Sequence, residues 1–230
     1  MTGDRLSKAA VAEHAARLAD DEGLEAVTIR RLAKDLGVTP MALYWHFKNK
    51  EELLLGVVDH LLGGVRSEAA DGDPWQKRLR ALVDTVVDVM RRHPALPDLM
   101  HAVDKTRTEN FTRATNDCLA LLSEAGFTLG EAFWVSQHLL TGVIGLVSGH
   151  PGPRPGTSPE EAAELRRQKR LMFECLPADR FPKMVEYAAT FRDEPDVERY
   201  FTFNVDLLLA GVEATAAARA RRQPDHPAAR

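Results

Sequence analysis

The stretch TPMALYWHFKNKEELL, residues 39–54, sets Tyr44, Trp45, His46 and Phe47 in unbroken succession between a Thr-Pro pair and a Lys-Asn-Lys run. Successive helical side chains point about 100° apart, so four rings in a row cannot all enter one core. Leu43 and Phe47 are four apart and form the inward face. Pro40, Met41, Tyr44, Trp45 and His46 then lie on or beside the outer one. Thr39 is placed to cap this helix, with Pro40 at its first position, where a missing N–H costs nothing. Asn49 with Glu52 three residues on resembles a capping box, opening a further helix over 50–68.

Upstream, Thr28 can cap a helix whose Leu32, Ala33 and Leu36 share a face, and Gly37 permits a sharp turn after it. Before that, Val11, Ala15 and Leu18 recur at helical spacing and Gly23 stops the run. A helix ending at Leu36, a turn through Gly37 and a helix opening at Thr39 make a helix-turn-helix. Between residues 26 and 50 the charges are Arg30, Arg31, Lys34, Lys48 and Lys50 against Asp35, five minus one. A local +4 thus sits within a chain of net charge -4, and this is where phosphate is expected to be met.

The segment TIRRLAKDLGVTPMALYWHFKNKEELL closely resembles the DNA-binding region of TetR-family transcriptional regulators. Gly23, Thr28, Arg30, Leu32, Ala33, Leu36, Gly37, Val38, Leu43, Tyr44, His46, Phe47, Lys50 and Leu53 carry the likeness, which covers residues 5–60. The resemblance implies that Thr28, Tyr44 and Lys50 contact phosphates and that Arg30 reaches a guanine edge. Thr39, Pro40, Met41, Ala42, Trp45 and His46 would face the major groove. Guanidinium can donate two bonds to guanine, and Pro40, Met41 and Ala42 suit a thymine methyl.

The remainder of the 230 residues shows helical periodicity and no convincing alternating strand. Helices are expected near 75–92, 95–102, 107–125, 129–149, 160–176, 180–189 and 197–219, about ten in all, giving an all-α protein. HPGPRPGTSP, 150–159, reads as a surface loop. The expected domains are a DNA-binding unit at 1–48, a connecting helix at 49–68, a ligand-binding and dimerisation bundle at 69–220, and a disordered tail at 221–230. Cys118 and Cys175 form no CxxC pair, which suits a reducing cytoplasm. No signal core is evident, and no run approaches the roughly 18 apolar residues of a membrane span.

The second part resembles the tetracycline-repressor-type C-terminal domain, through PWQKRLRAL, LLSEAGFTLGEAFW and VERYFTFNVDLLLAGVEA. Counted along that resemblance, the antibiotic-binding positions fall on Arg66, Leu82, Val86, Met100 and Cys118, and none keeps the antibiotic-binding residue type. His101 lies beside the metal-histidine position; no metal and no cofactor are expected. A mostly apolar or aromatic effector is expected instead, in a pocket of these residues with Met90, Leu122, Trp134, Gln137, His138 and Met172. Gly142 and Gly145 mark a close helix approach, which the resemblance assigns to a homodimer interface with Phe201, Val205, Leu208 and Val212. A two-fold dimer implies a palindromic operator. Taken together, these features point to a cytoplasmic, ligand-responsive repressor. A helical enzyme finds little support, because the histidines form no HExxH and the chain has no Gly-rich phosphate loop. A protein-binding scaffold is separated from it by salt-dependent DNA binding.

Overall fold

The computed structural model describes residues 7–67, 69–70, 72–154 and 156–222, so the expected tail lies almost wholly outside the described residues. These residues hold eleven α-helices and no strand. By packing they form two units, one running to Ser148 and resuming at Asn204, the other Gly149–Phe203. This differs from the division by function expected at 68/69, because the connecting helix packs on elements to both sides of it.

In the larger unit, α1 (Lys8–Glu22) is capped by Ser7 and buries Val11, Ala12, Ala15, Ala16, Leu18 and Ala19. Gly23 ends it at φ 84°, a left-handed conformation that glycine adopts without steric cost. A 3-10 turn, Leu24–Ala26, leads to α2 (Ile29–Asp35). Gly37 at φ 66° makes the turn into α3 (Pro40–Tyr44), and Phe47 N–H still donates to Leu43 C=O at 2.9 Å, one helical turn on. The long element α4 (Lys50–Leu62) buries Leu53, Leu54, Leu55, Val57, Val58, Leu61 and Leu62. It stops short of the expected residue 68 at the Gly63-Gly64 pair. The Arg113 guanidinium takes over the carbonyls of Val65 and Gly63 at 3.0 and 3.4 Å.

The body of this unit is α5 (Trp75–Arg92), α6 (Leu96–Ala102), α7 (Glu109–Glu124), α8 (Leu129–Ser148) and the part of α11 (Val197–Arg222) from Asn204 onward. α8 turns Ala132, Ser136, Leu139, Val143 and Val147 inward. α11 contributes Val205, Leu209, Val212 and Ala216 to the buried set. It runs antiparallel to α8: Leu208 lies against Gly142, and Arg219 pairs with Glu131. By length and mean composition α11 could cross a membrane, yet Glu198, Arg199, Asp206 and Glu213 interrupt it, so it holds no continuous apolar run of the kind expected of a span. Within this unit, however, its Asp206 pairs with Arg80 of α5.

The smaller unit contains the expected loop, then α9 (Pro159–Glu174) and α10 (Pro182–Tyr187), which passes into a 3-10 turn, Ala188–Phe191. Its centre is an aromatic cluster: Phe173 lies 5.9 Å from Tyr187 and 5.6 Å from Phe191, ring centre to ring centre.

Candidate nucleic-acid interface and effector cavity

Three local caps set the reading head. Thr28 Oγ1 accepts from Arg31 N–H at 3.1 Å, Thr39 Oγ1 from Ala42 N–H at 3.3 Å, and Asn49 Oδ1 from Glu52 N–H at 2.8 Å. The reciprocal bond of the last cap differs from a standard box, since Glu52 accepts from Lys48 N–H at 2.9 Å. Leu43 and Phe47 are buried, and that burial fixes what the rest of α3 presents. Trp45 is 85% exposed, Met41 67% and Tyr44 47%. Thr28, Arg30, Thr39, Pro40 and Lys50 are exposed as well, whereas Ala42 and His46 are half-buried. His46 lines a cleft formed with α1, α4 and the start of α7, so its ring is shared between that cleft and the outer face. Lys50 Nζ donates to Leu24 C=O at 3.3 Å, tying α4 to the turn before α2.

Side-chain links join the head to the body. Asp20 of α1 accepts from Ala95 N–H at 3.0 Å, and its other oxygen lies 2.8 Å from His93 Nδ1. Asp59 of α4 accepts from Asn110 N–H at 2.8 Å, and Glu51 pairs with Arg107. These charge-assisted bonds tie α1 and α4 to the segments that open α6 and α7.

The body holds a partly open cavity of about 80 Å³. Its walls come from Leu62 at the end of α4 and Val65 beyond it, from α5 (Leu82, Val83, Val86, Met90), from Met100 of α6, and from α7 and α8. α7 supplies Phe111, Ala114, Thr115 and Cys118, and α8 supplies Ser136, Gln137, Leu139, Leu140 and Val143. No charged side chain is among them. Burial pushes the Cys118 thiol up to about 12, so it stays protonated.

Of the residues expected in a pocket, Leu82, Val86, Met90, Met100, Cys118 and Gln137 come together here. The others do not line the cavity. Arg66 is exposed, its carbonyl accepting from Thr85 Oγ1 at 3.0 Å, and Leu122 is fully buried elsewhere in the core. His101 is exposed, its Nδ1 2.8 Å from Pro97 C=O. Met172 belongs to the smaller unit and is 58% exposed. Trp134 and His138 are exposed on the face of α8 opposite Ser136 and Leu139, in line with Thr141 and Gly145. Among the described residues no three His, Cys, Asp or Glu converge on a metal-sized site.

The residues expected at a dimer interface are also redistributed. A Cβ on Gly142 would sit 2.9 Å from Leu208 Cδ2, so the close approach that glycine permits is made within the chain. Val205 and Val212 are buried in the same unit, and Phe201, assigned to the smaller one, is 5% exposed. Gly145 has open space around it. The outward surface of the α8–α11 pair carries Trp134, His138, Thr141 and the expected Gly145, with Leu207, Ala210, Gly211 and Ala214.

The family model of bacterial regulatory proteins of the tetR family matches residues 11–57, and that of the tetracyclin repressor-like C-terminal domain matches 68–216. The chain belongs to the TetR family. The tetracycline repressor protein class C of Escherichia coli is 28% identical to it over 214 residues, spanning 91% of this chain and 92% of that one. The HTH-type transcriptional repressor DrrR1 of Streptomyces coeruleorubidus is 29% identical over 235 residues, spanning 95% and 80%. ActR of Streptomyces coelicolor, solved in complex with actinorhodin, shares the fold at a TM-score of 0.75 and 24% identity, covering 92% and 98%. This TetR-family chain is thus a transcriptional regulator and not an enzyme.

Sequence reasoning missed several cavity residues of this TetR-family protein. Phe111, Ala114 and Thr115 precede Cys118 by seven, four and three residues, so helical spacing from that cysteine was a usable signal. Ser136, Leu140 and Val143 had no comparable signal, since α8 is apolar nearly all round.

Proposed function

We propose that this TetR-family regulator is a repressor that binds a palindromic operator as a homodimer and is released by a small, uncharged, mostly apolar or aromatic effector. The observation that carries the DNA reading is the outer face of α3. Three large apolar side chains lie open within one helical turn, beside exposed Arg30 and Thr28, where a soluble surface needs a partner. Arg30 reads a guanine edge, Trp45 and Met41 make apolar groove contacts with Thr39, Pro40 and Ala42, and Thr28, Tyr44 and Lys50 hold phosphates. His46, half-buried, reaches the groove only from the edge of the head. The outward α8–α11 surface, with small residues at Gly145, Ala210, Gly211 and Ala214, suits close packing on a second copy. As a DNA-binding regulator the protein acts in the cytoplasm.

The cavity supports the effector reading. Its wall is apolar, with Thr115, Ser136 and Gln137 as polar anchors and no charge to match an ionised ligand. At about 80 Å³ it is far below the roughly 300–1,000 Å³ of a drug-sized site, so binding must part its walls. Those walls include Met100 of α6 and Leu62 of α4, next to the Asp20 and Asp59 links. An effector that favours the parted form draws the population away from the form that fits DNA. Binding of the full-length protein and of Arg30→Ala to operator and random duplexes tests the DNA reading. Arg30→Ala is expected to cost about 1–3 kcal/mol on the operator and to relax one base position. Equal losses on operator and random DNA count against base reading by Arg30.

A further inference from the structure

We infer that Arg31 is a positioning residue for operator recognition and not a phosphate contact, although the sequence places it among the basic residues of the head. Its guanidinium grips both Oε atoms of Glu22 at the end of α1, Nη1 to Oε2 at 2.9 Å and Nη2 to Oε1 at 2.6 Å. Its Nε donates to Asp35 Oδ2, one turn along α2, at 2.8 Å. His14 of α1 reaches the same Asp35 oxygen at 3.8 Å. One cation is therefore enclosed by two carboxylates, whereas among the described residues no ion pair engages Arg30, Lys34, Lys48 or Lys50.

What the fork does follows from how little else holds α2. This seven-residue helix buries only Ile29, Leu32 and Ala33, a narrow apolar contact about which it can rock. It carries Thr28 at its cap and Arg30 at its second position, so a small rotation sweeps the Arg30 tip through a large arc. The Asp35 bond fixes the guanidinium against its own helix, and the two-pronged Glu22 bond fixes that helix against α1. Isolated surface ion pairs contribute little; bidentate arginine pairs joined into a network are the recognised exception. Lysine carries the same charge but cannot hold both carboxylates in this planar geometry.

The inference rests on the proposed DNA reading, and two charge-sensitive variants separate the possibilities. Glu22→Gln and Arg31→Lys, in the full-length protein, are titrated against a palindromic operator duplex and a random duplex over a range of salt. If Arg31 met phosphate, Glu22→Gln would release it and strengthen binding to both duplexes, and Arg31→Lys would change little. A positioning role predicts the opposite sign: both variants bind operator about tenfold more weakly, as expected when a bidentate base contact loses its geometry, while random-duplex affinity and the salt slope hold. Parallel gains, parallel losses or no change on the two duplexes overturn the assignment. If the wild-type protein itself fails to prefer the operator, the DNA reading has failed and not the role of Arg31.

Discussion

Gly56, in the middle of α4, gives a prediction whose sign separates two effects. Helix propensity alone says that Gly56→Ala should stabilise the protein by about 0.5–1 kcal/mol. The packing says otherwise: a Cβ there would stand 2.5 Å from Phe47 Cε1 and 3.2 Å from Cζ. Phe47 is 3% exposed and is the anchor that seats α3 on α4. The ring must leave its place, toward the cleft it shares with His46 and His60, and re-exposing it costs about 1.5–3 kcal/mol. The balance is a net loss of about 0.5–2.5 kcal/mol, or a fall of roughly 1–10 °C in Tm for a chain of this size. Because the same ring orients Tyr44 and Trp45, operator affinity should fall as well. Thermal melting paired with an operator titration reads both, with Gly130→Ala as the control. Gly130 lies in the first turn of α8 with nothing within 4 Å of its Cβ position, so no loss is expected there. A Gly56→Ala protein that melts at or above the wild-type midpoint and binds operator normally would refute the reasoning.

Four further expectations concern the chain outside the reading head. Ala114→Leu should fill the cavity, keeping the fold and operator binding while abolishing release by effector; an unaltered response would place the effector elsewhere. Leu207→Glu puts a charge on the proposed dimer surface and should shift the protein toward monomer by sedimentation, with loss of operator affinity. At pH 8 a thiol reagent should label exposed Cys175 quickly and Cys118 only after denaturation, because the Cys118 pKa, raised by burial to about 12, keeps its reactive thiolate scarce. With that folded-state pKa above the unfolded value of 9.0, the stability from the buried thiol is full below pH 9, and above it falls by about 1.4 kcal/mol per pH unit until about pH 12.

The reading head was legible because its geometry is set by neighbours in sequence. Thr28, Thr39 and Asn49 each cap the helix they precede, and Gly23 and Gly37 take the left-handed conformations that the turns demand. The end of α4 was less legible: apolar spacing suggested continuation, whereas Gly63-Gly64 and the distant Arg113 end it. In α8 a nearly continuous apolar sequence left the inward face undetermined. Ser136, satisfied by donating to Phe133 C=O at 2.8 Å, faces the core while the larger Trp134 does not. The glycine at 142 signals a close approach without naming what approaches: Leu208 lies 66 positions away, and only the fold identifies it. The Glu22–Arg31 fork was hidden for the same reason, since the turn through Gly23 alone brings the two together.

The central claim is that α3 and Arg30 read a specific palindrome. Its most direct test is the affinity of the wild-type protein for a palindrome from its own flanking intergenic DNA, set against a random duplex of equal length and followed across salt. The account predicts a steep fall with salt on both duplexes and a preference for the palindrome of at least about 10³ at physiological salt. Equal affinity for the two duplexes, or binding indifferent to salt, would contradict it.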